Sequence, residues 1–209
     1  MIQIKGTDFH SFVSKTWPYV IKWWFSVVCI PFCWVLAHQY WMALKWEISF
    51  AWMYDYPFFL APFFFFIDNF LLIVHEAGHT FFGLFGNRFL TIVGGTLLEI
   101  LLPFGIFVYG WIAARRYTTQ LGLLLTAFAW IESSAYAADA LERRLPLIGN
   151  LPKSAHDFYN LFTRSGVLES HQEIAWGMYW VGILLLFIFL AWPVLETQKA
   201  DYVDLKVDV

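Results

Sequence analysis

The sequence predicts an all-α integral membrane protein with about five transmembrane helices and one short segment outside the membrane. Hydrophobic residues make up 60% of the 209 residues and aromatic residues 22%, whereas only 14% are charged. Soluble domains have about 45–50% apolar and about 25% charged residues, so a soluble fold could not bury these side chains. The net charge of −3, without a basic patch, argues against a nucleic-acid partner. The expected environment is a lipid bilayer.

Five apolar stretches are each long enough for the roughly 20 residues that a helix needs to cross a bilayer. The predicted spans cover residues 19–44, 57–85, 89–114, 118–141 and 174–195. Tryptophans crowd the ends of the first span, as interfacial aromatic residues do, and the last contains the uncharged run WVGILLLFIFLAW. We therefore predict a single helical membrane domain over residues 1–195 and a polar C-terminal tail over residues 196–209.

The one substantial connection lies between the fourth and fifth spans, over residues 142–173. Ser154 is a candidate N-cap for a short helix within it. Five spans place the N-terminus, the turn between the second and third spans, and this long loop on one side of the membrane. That side carries slightly more Lys and Arg than the other, which predicts a cytoplasmic N-terminus. The membrane that we expect is a bacterial inner membrane.

The second span ends on the motif His75-Glu76-Ala77-Gly78-His79. Residues four apart lie on the same face of a helix, so both imidazoles can reach one Zn²⁺. Glu76 lies on the adjacent face, where it can activate a water as a general base without being a ligand. A less specific interpretation is a polar cluster at a helix end that faces the headgroups.

Zinc needs at least one further protein ligand. The fourth span delivers Asp139 to the membrane side where the motif lies, and the long loop adds His156, so these two are alternative third ligands. Asp68 and Asp157 are candidates for supporting roles beside the metal. Other interpretations stay open: Asp139 could pair with Arg143 four residues on, and the His156-Asp157 pair could be an ordinary helix start.

Two further features lie in the third span. Gly94-Gly95 favours close packing against a neighbouring helix, although paired glycines could instead unwind the chain and expose backbone groups to an extended peptide. Glu99 falls at mid-membrane depth and is expected to face the interior of the bundle.

With HEAGH in a membrane span, the chain resembles the site-2-type intramembrane zinc metalloproteases over residues 74–79. The resemblance implies that His75 and His79 bind zinc and that Glu76 is the general base. It also implies an aspartate from a later span as a further ligand, for which Asp139 in AYAADALE is the best match. The Leu-Asp-Gly stretch that carries this aspartate in the family is not found.

The leading hypothesis for function is a zinc-dependent intramembrane peptidase that hydrolyses a peptide bond of a membrane-protein substrate. The alternative is a non-proteolytic membrane subunit of a larger complex, with a structural or degenerate metal site and partner subunits packed on its aromatic faces. A third possibility is a transporter that uses Asp68, Glu99 and Glu132 with the histidines as a polar path.

Overall fold

Six α-helices form the described part of the protein. The computed structural model describes the backbone of residues 6–46 and 56–204, and the side chains of residues 16–46 and 56–196. The helices are α1 (Gly6–Trp46), α2 (Ala61–Gly83), α3 (Arg88–Ile112), α4 (Arg116–Ala138), α5 (Asp157–Ser165) and α6 (His171–Asp204), with three short 3-10 turns between α4 and α6. These described residues contain no strand, and the predicted all-α class is confirmed.

Five of the helical segments are long and apolar enough to cross a membrane, which fits an integral membrane protein in a lipid bilayer. They are Thr16–Trp46, Ala61–Gly83, Arg88–Ile112, Arg116–Ala138 and Leu168–Glu196. α6 continues as a helix to Asp204, so residues 196–204 of the predicted polar tail are helical.

α4 is the central helix of the bundle and packs against α1, α3 and α6. Its buried side chains include many small residues, among them Ala127, Ala129 and Ala135. Small side chains let neighbouring helices approach closely in a membrane protein. Phe128 joins a group of aromatic rings with Phe32 of α1 and Phe64 of α2, whose ring centroids lie 4.3 Å apart.

α2 and α3 form a tight antiparallel pair joined by a short turn. Gly86 adopts a left-handed backbone (φ 67°), and the side chain of Asn87 accepts hydrogen bonds from the amides of Phe89 and Leu90 to cap α3. The paired glycines of α3 face Gly78 of α2: a Cβ on Gly78 would collide with the backbone of Gly94 and Gly95. α3 is unbroken at this point, so the packing interpretation of the paired glycines is confirmed.

The long connection returns over the end of the bundle where α2 ends, α3 begins and α4 ends. Its short helix, α5, begins at Asp157 and is capped by His156, whose ring nitrogen accepts from the Tyr159 amide at 3.3 Å. The prediction of a cap at Ser154 was wrong, because Ser154 lies in a preceding 3-10 turn. α5 packs against α3 and α4, which brings its first residue to the end of α2.

Candidate metal centre

The two histidines of the HExxH motif point their Nε2 atoms at one carboxylate. His75 and His79 lie one turn apart near the end of α2, and each Nε2 is 3.3 Å from Oδ2 of Asp157, the first residue of α5. The candidate ligand atoms of these three residues all lie within 4.8 Å of one another. α2 therefore supplies two nitrogen donors and α5 supplies an oxygen donor to the same point.

Hydrogen bonds to α3 orient both imidazole rings. Nδ1 of His75 lies 2.8 Å from Oε2 of the buried Glu99, and Nδ1 of His79 lies 2.8 Å from the backbone oxygen of Thr91. A backbone carbonyl only accepts, so Nδ1 of His79 carries a proton, and in the neutral form of the ring Nε2 has a free lone pair. The Glu99 carboxylate has the same effect on His75. Metal-binding histidines are commonly held in this way, by an acceptor on the nitrogen that does not bind.

Asp157 is fixed from a third direction by Tyr136 of α4. The Tyr136 hydroxyl accepts from the Asp157 amide at 3.2 Å and lies 3.3 Å from Oδ2 of the same residue. Burial raises the pKa of the Asp157 carboxyl, but the hydrogen bonds of His75 and His79, and the charge that these rings have when they are protonated, outweigh burial and hold that pKa below its usual range. The carboxylate is thus ionised, as a metal ligand must be.

Gly95 provides the space in front of the two histidines. A Cβ at this position would lie 2.6 Å from Nε2 of His75 and 2.6 Å from Nε2 of His79. Any side chain on Gly95 would therefore occupy the region onto which both nitrogen lone pairs are directed. The same glycine that permits the close approach of α3 to α2 also keeps this region open.

The distances test whether zinc fits this group. Tetrahedral ligands about 2.0–2.1 Å from zinc lie about 3.3–3.4 Å from one another. The 3.3 Å separations between Asp157 Oδ2 and the two Nε2 atoms match that spacing. Two imidazoles and one carboxylate also form a donor set typical of catalytic zinc, in which the fourth position is left for water or substrate. The donor types and these two separations therefore fit a divalent metal ion such as zinc, and the same separations fit direct contacts between the carboxylate and the imidazoles.

A cavity of about 300 Å³ adjoins the three candidate ligands. Glu76 is half-buried and lines it on the side of α2. Deeper in the bundle the wall includes Glu99 and Glu132, and the roof comes from the long connection. The apolar lining consists largely of aliphatic side chains: Leu72, Ile92, Leu145, Leu147, Ile148 and Leu151. The motif glutamate thus shares one chamber with the histidines.

Asp139 and His156, the alternative third ligands of the sequence prediction, lie together in a separate pair. His156 Nε2 is 3.4 Å from Asp139 Oδ2, and the Asp139 carboxylate accepts from the amides of Arg144 at 2.8 Å and Leu145 at 2.9 Å. Neither residue belongs to the group of candidate ligands at His75 and His79. The interpretation of Asp139 as the partner of Arg143 is not met either, because the Arg143 guanidinium lies over the Tyr159 ring at 4.1 Å.

Asp68 and Asp157, proposed for supporting roles, are placed differently. Asp157 faces both histidines directly, whereas Asp68 lies deeper in α2, and its buried Oδ1 has no hydrogen-bond partner among the described residues. The electrostatic neighbours of Glu132 include Asp68 and Glu99, so three helices each contribute one carboxylate at this depth.

Sequence reasoning did not identify the partners that orient His75, His79 and Asp157. Glu99 was expected to face inward, but nothing in its spacing indicates that it meets His75. Thr91 contributes only a backbone oxygen, which no side-chain pattern reveals. Tyr136 was recognisable only as one more aromatic residue in an aromatic-rich chain.

Comparisons of the chain with protein-family models, with curated proteins and with solved structures found no match. The class that the fold defines is an all-α membrane protein.

Proposed function

We propose that the protein is a zinc-dependent peptidase that hydrolyses a peptide bond of a membrane-protein substrate at or within the bilayer. The observation that carries the proposal is the convergence of the two Nε2 atoms of the motif and Asp157 Oδ2 at zinc-like spacing, beside a cavity that Glu76 lines. In this proposal His75, His79 and Asp157 are the ligands, and Asp157 replaces Asp139 and His156 as third ligand.

Zinc in such a site supplies Lewis-acid activation of the scissile carbonyl and of water. Glu76 accepts a proton from the attacking water, whose oxygen bonds to the carbonyl carbon. As the carbon–nitrogen bond breaks, Glu76 returns the proton to the leaving nitrogen, and the products are a carboxyl and an amino terminus. Glu99 and Thr91 keep the two imidazoles in the tautomer that leaves Nε2 unprotonated.

The cavity lining supports a peptide from a membrane segment as substrate. Its aliphatic walls match apolar side chains, and the described residues that line it include no Lys or Arg. A helical substrate hides its scissile bond, so the substrate must be extended where it enters. The localisation proposed with this activity is a bacterial inner membrane, with the site at the cytoplasmic face.

The metal site is tested by metal analysis of the purified protein. We expect about one zinc per chain in the wild type, and a loss of about tenfold or more in affinity for His75→Ala, His79→Ala and Asp157→Asn. Glu132→Gln is the matched control, because Glu132 lines the same cavity without a hydrogen bond to either histidine. Zinc content that is equal in all variants would contradict the site.

The peptidase activity is tested with Glu76→Gln, which removes the base and keeps the shape of the side chain. Membranes from cells that express either protein are compared by mass-spectrometric identification of new protein N-termini. We expect cleavage products in apolar segments with the wild type and none with the variant, at equal zinc content. Identical N-termini in both samples, with zinc retained, would favour the non-proteolytic subunit with a structural metal site.

A further inference from the structure

Asp139 and His156 form a buried polar pair outside the candidate ligand group. Their side chains are only 3% and 1% exposed. Burial of an ionisable group is costly unless partners compensate for the lost water. A pair buried this deeply at the edge of a membrane bundle must therefore be stabilised by the polar groups around it.

Asp139 binds the beginning of the long connection. It caps the end of α4, and its two carboxylate oxygens accept from consecutive amides, Arg144 at 2.8 Å and Leu145 at 2.9 Å. Hydrogen bonds from backbone amides to a carboxylate are charge-assisted and stronger than neutral ones. The chain is thus fixed at the point where it leaves α4 and starts to roof the cavity.

His156 binds the other end of the same connection. Its Nδ1 accepts from the Tyr159 amide as the cap of α5, so Nε2 carries the proton when the ring is neutral. Nε2 lies 3.4 Å from Asp139 Oδ2, which is a close polar contact that does not have the geometry of a hydrogen bond. The Tyr136 ring lies against the imidazole with 4.2 Å between centroids, and the Tyr136 hydroxyl contacts the next residue, Asp157. The Asp139 carboxylate therefore hydrogen-bonds the start of the segment from residue 144 to residue 156 and lies in close polar contact with its end.

We infer that the Asp139–His156 pair is a positioning device that sets Asp157 against His75 and His79 by closing the 144–156 segment over the cavity. The inference rests on the proposed metal site, since Asp157 is the residue positioned. It gives Asp139 and His156 a part in zinc binding without contact with the metal. The residues of the cavity roof, from Leu145 to Ala155, lie between the two ends of the segment that this pair contacts.

The test is a double-mutant cycle on the full chain in detergent, with zinc affinity measured by competition with a chromophoric chelator. Asp139→Asn keeps the shape of the side chain and removes its charge. His156→Asn is the second variant, because asparagine is a good helix cap but cannot reach Asp139. Glu142→Gln is the control: its exposed carboxylate pairs with Arg144 in the same segment without touching the buried pair.

We expect Asp139→Asn and His156→Asn each to weaken zinc binding by about 10- to 100-fold. In an Asp157→Asn background neither should weaken it further by more than about twofold, because Asp157 no longer contributes. The visible spectrum of the Co²⁺-loaded Asp139→Asn protein should approach that of Asp157→Asn, and the Leu145 amide should exchange faster with solvent. A role in stability alone would not move the Co²⁺ spectrum.

The inference is overturned if both folded single variants bind zinc as the wild type does while Asp157→Asn does not. It is equally overturned if Asp139→Asn causes the same loss with and without Asp157, because the effect is then general destabilisation. If Asp157→Asn itself binds zinc normally, the proposed ligand set is wrong, and the positioning role falls with it.

Discussion

Each imidazole of the HExxH motif is held by an acceptor on α3, and the backbone of α3 also leaves room in front of both rings. Glu99 and the carbonyl of Thr91 accept hydrogen bonds from the Nδ1 atoms of His75 and His79, and Gly95 lies opposite their Nε2 atoms. A single neighbouring helix thus determines the tautomer, the orientation and the free space of the two histidines. At this scale the site depends as much on α3 as on the motif itself.

Gly95→Ala should weaken zinc binding. The added methyl group would lie 2.6 Å from both Nε2 atoms, so the rings must turn away from each other and from Asp157. We expect the zinc affinity to fall by about tenfold or more, measured by chelator competition.

Gly105→Ala is the matched control on the same helix, since a Cβ there meets nothing within 4 Å. It should bind zinc as the wild type does. If Gly95→Ala also retained normal affinity, the region in front of the two rings could not be where the metal lies.

The sequence predicted the two histidines correctly as neighbours on one face, because a helical spacing of four residues is a local property. It could not choose the third ligand. Asp139, His156 and Asp157 all arrive at the same end of the bundle, and the choice depends on the turn after α4. There, both carboxylate oxygens of Asp139 accept hydrogen bonds from the amides of Arg144 and Leu145. Asp157 is the residue that faces the histidines.

At the scale of the helices, α3 is held on two sides by contacts that only glycine permits. Near its start, Gly94 and Gly95 meet Gly78 of α2; further along, its backbone at Phe107 meets Gly122 of α4. Without a hydrophobic force between helices in lipid, close backbone approach of this kind is a main source of association. α3 therefore packs tightly against both the motif helix α2 and the central helix α4.

Gly122→Ala should lower the stability of the helix bundle without changing the candidate metal site. The new methyl group would collide with the Phe107 backbone, and overpacking of this kind costs about 1–3 kcal/mol. We expect a lower thermal unfolding midpoint in detergent with unchanged zinc content per folded chain, because Gly122 lies near the start of α4 and the site lies at its end. Gly177→Ala on α6, where a Cβ meets nothing within 4 Å, should leave the midpoint unchanged. An equal midpoint for Gly122→Ala would contradict the tight contact.

For the whole molecule, composition and the lengths of the apolar stretches were enough to predict the all-α class and the five long helices. These are additive properties that the bilayer imposes on every span. The path of the long connection was not predictable in the same way. It depends on particular contacts, such as those of Asp139 with Leu145 and of Tyr136 with Asp157, between residues distant in sequence or in irregular backbone.

The five-span arrangement predicts which ends of the helices share a membrane face, and the Lys and Arg bias predicts that the site faces the cytoplasm. Cys29 and Cys33 are both free, so single-cysteine proteins can be made after their replacement by alanine. We expect cysteines at the exposed positions Arg88 and Lys153 to react with a membrane-impermeant maleimide in inside-out vesicles, and a cysteine at Arg115 to react in right-side-out vesicles. Labelling of Lys153→Cys and Arg115→Cys from the same side would contradict the single membrane crossing, by α4, that lies between them. The reverse pattern for all three would keep the five spans and move the site to the outer face.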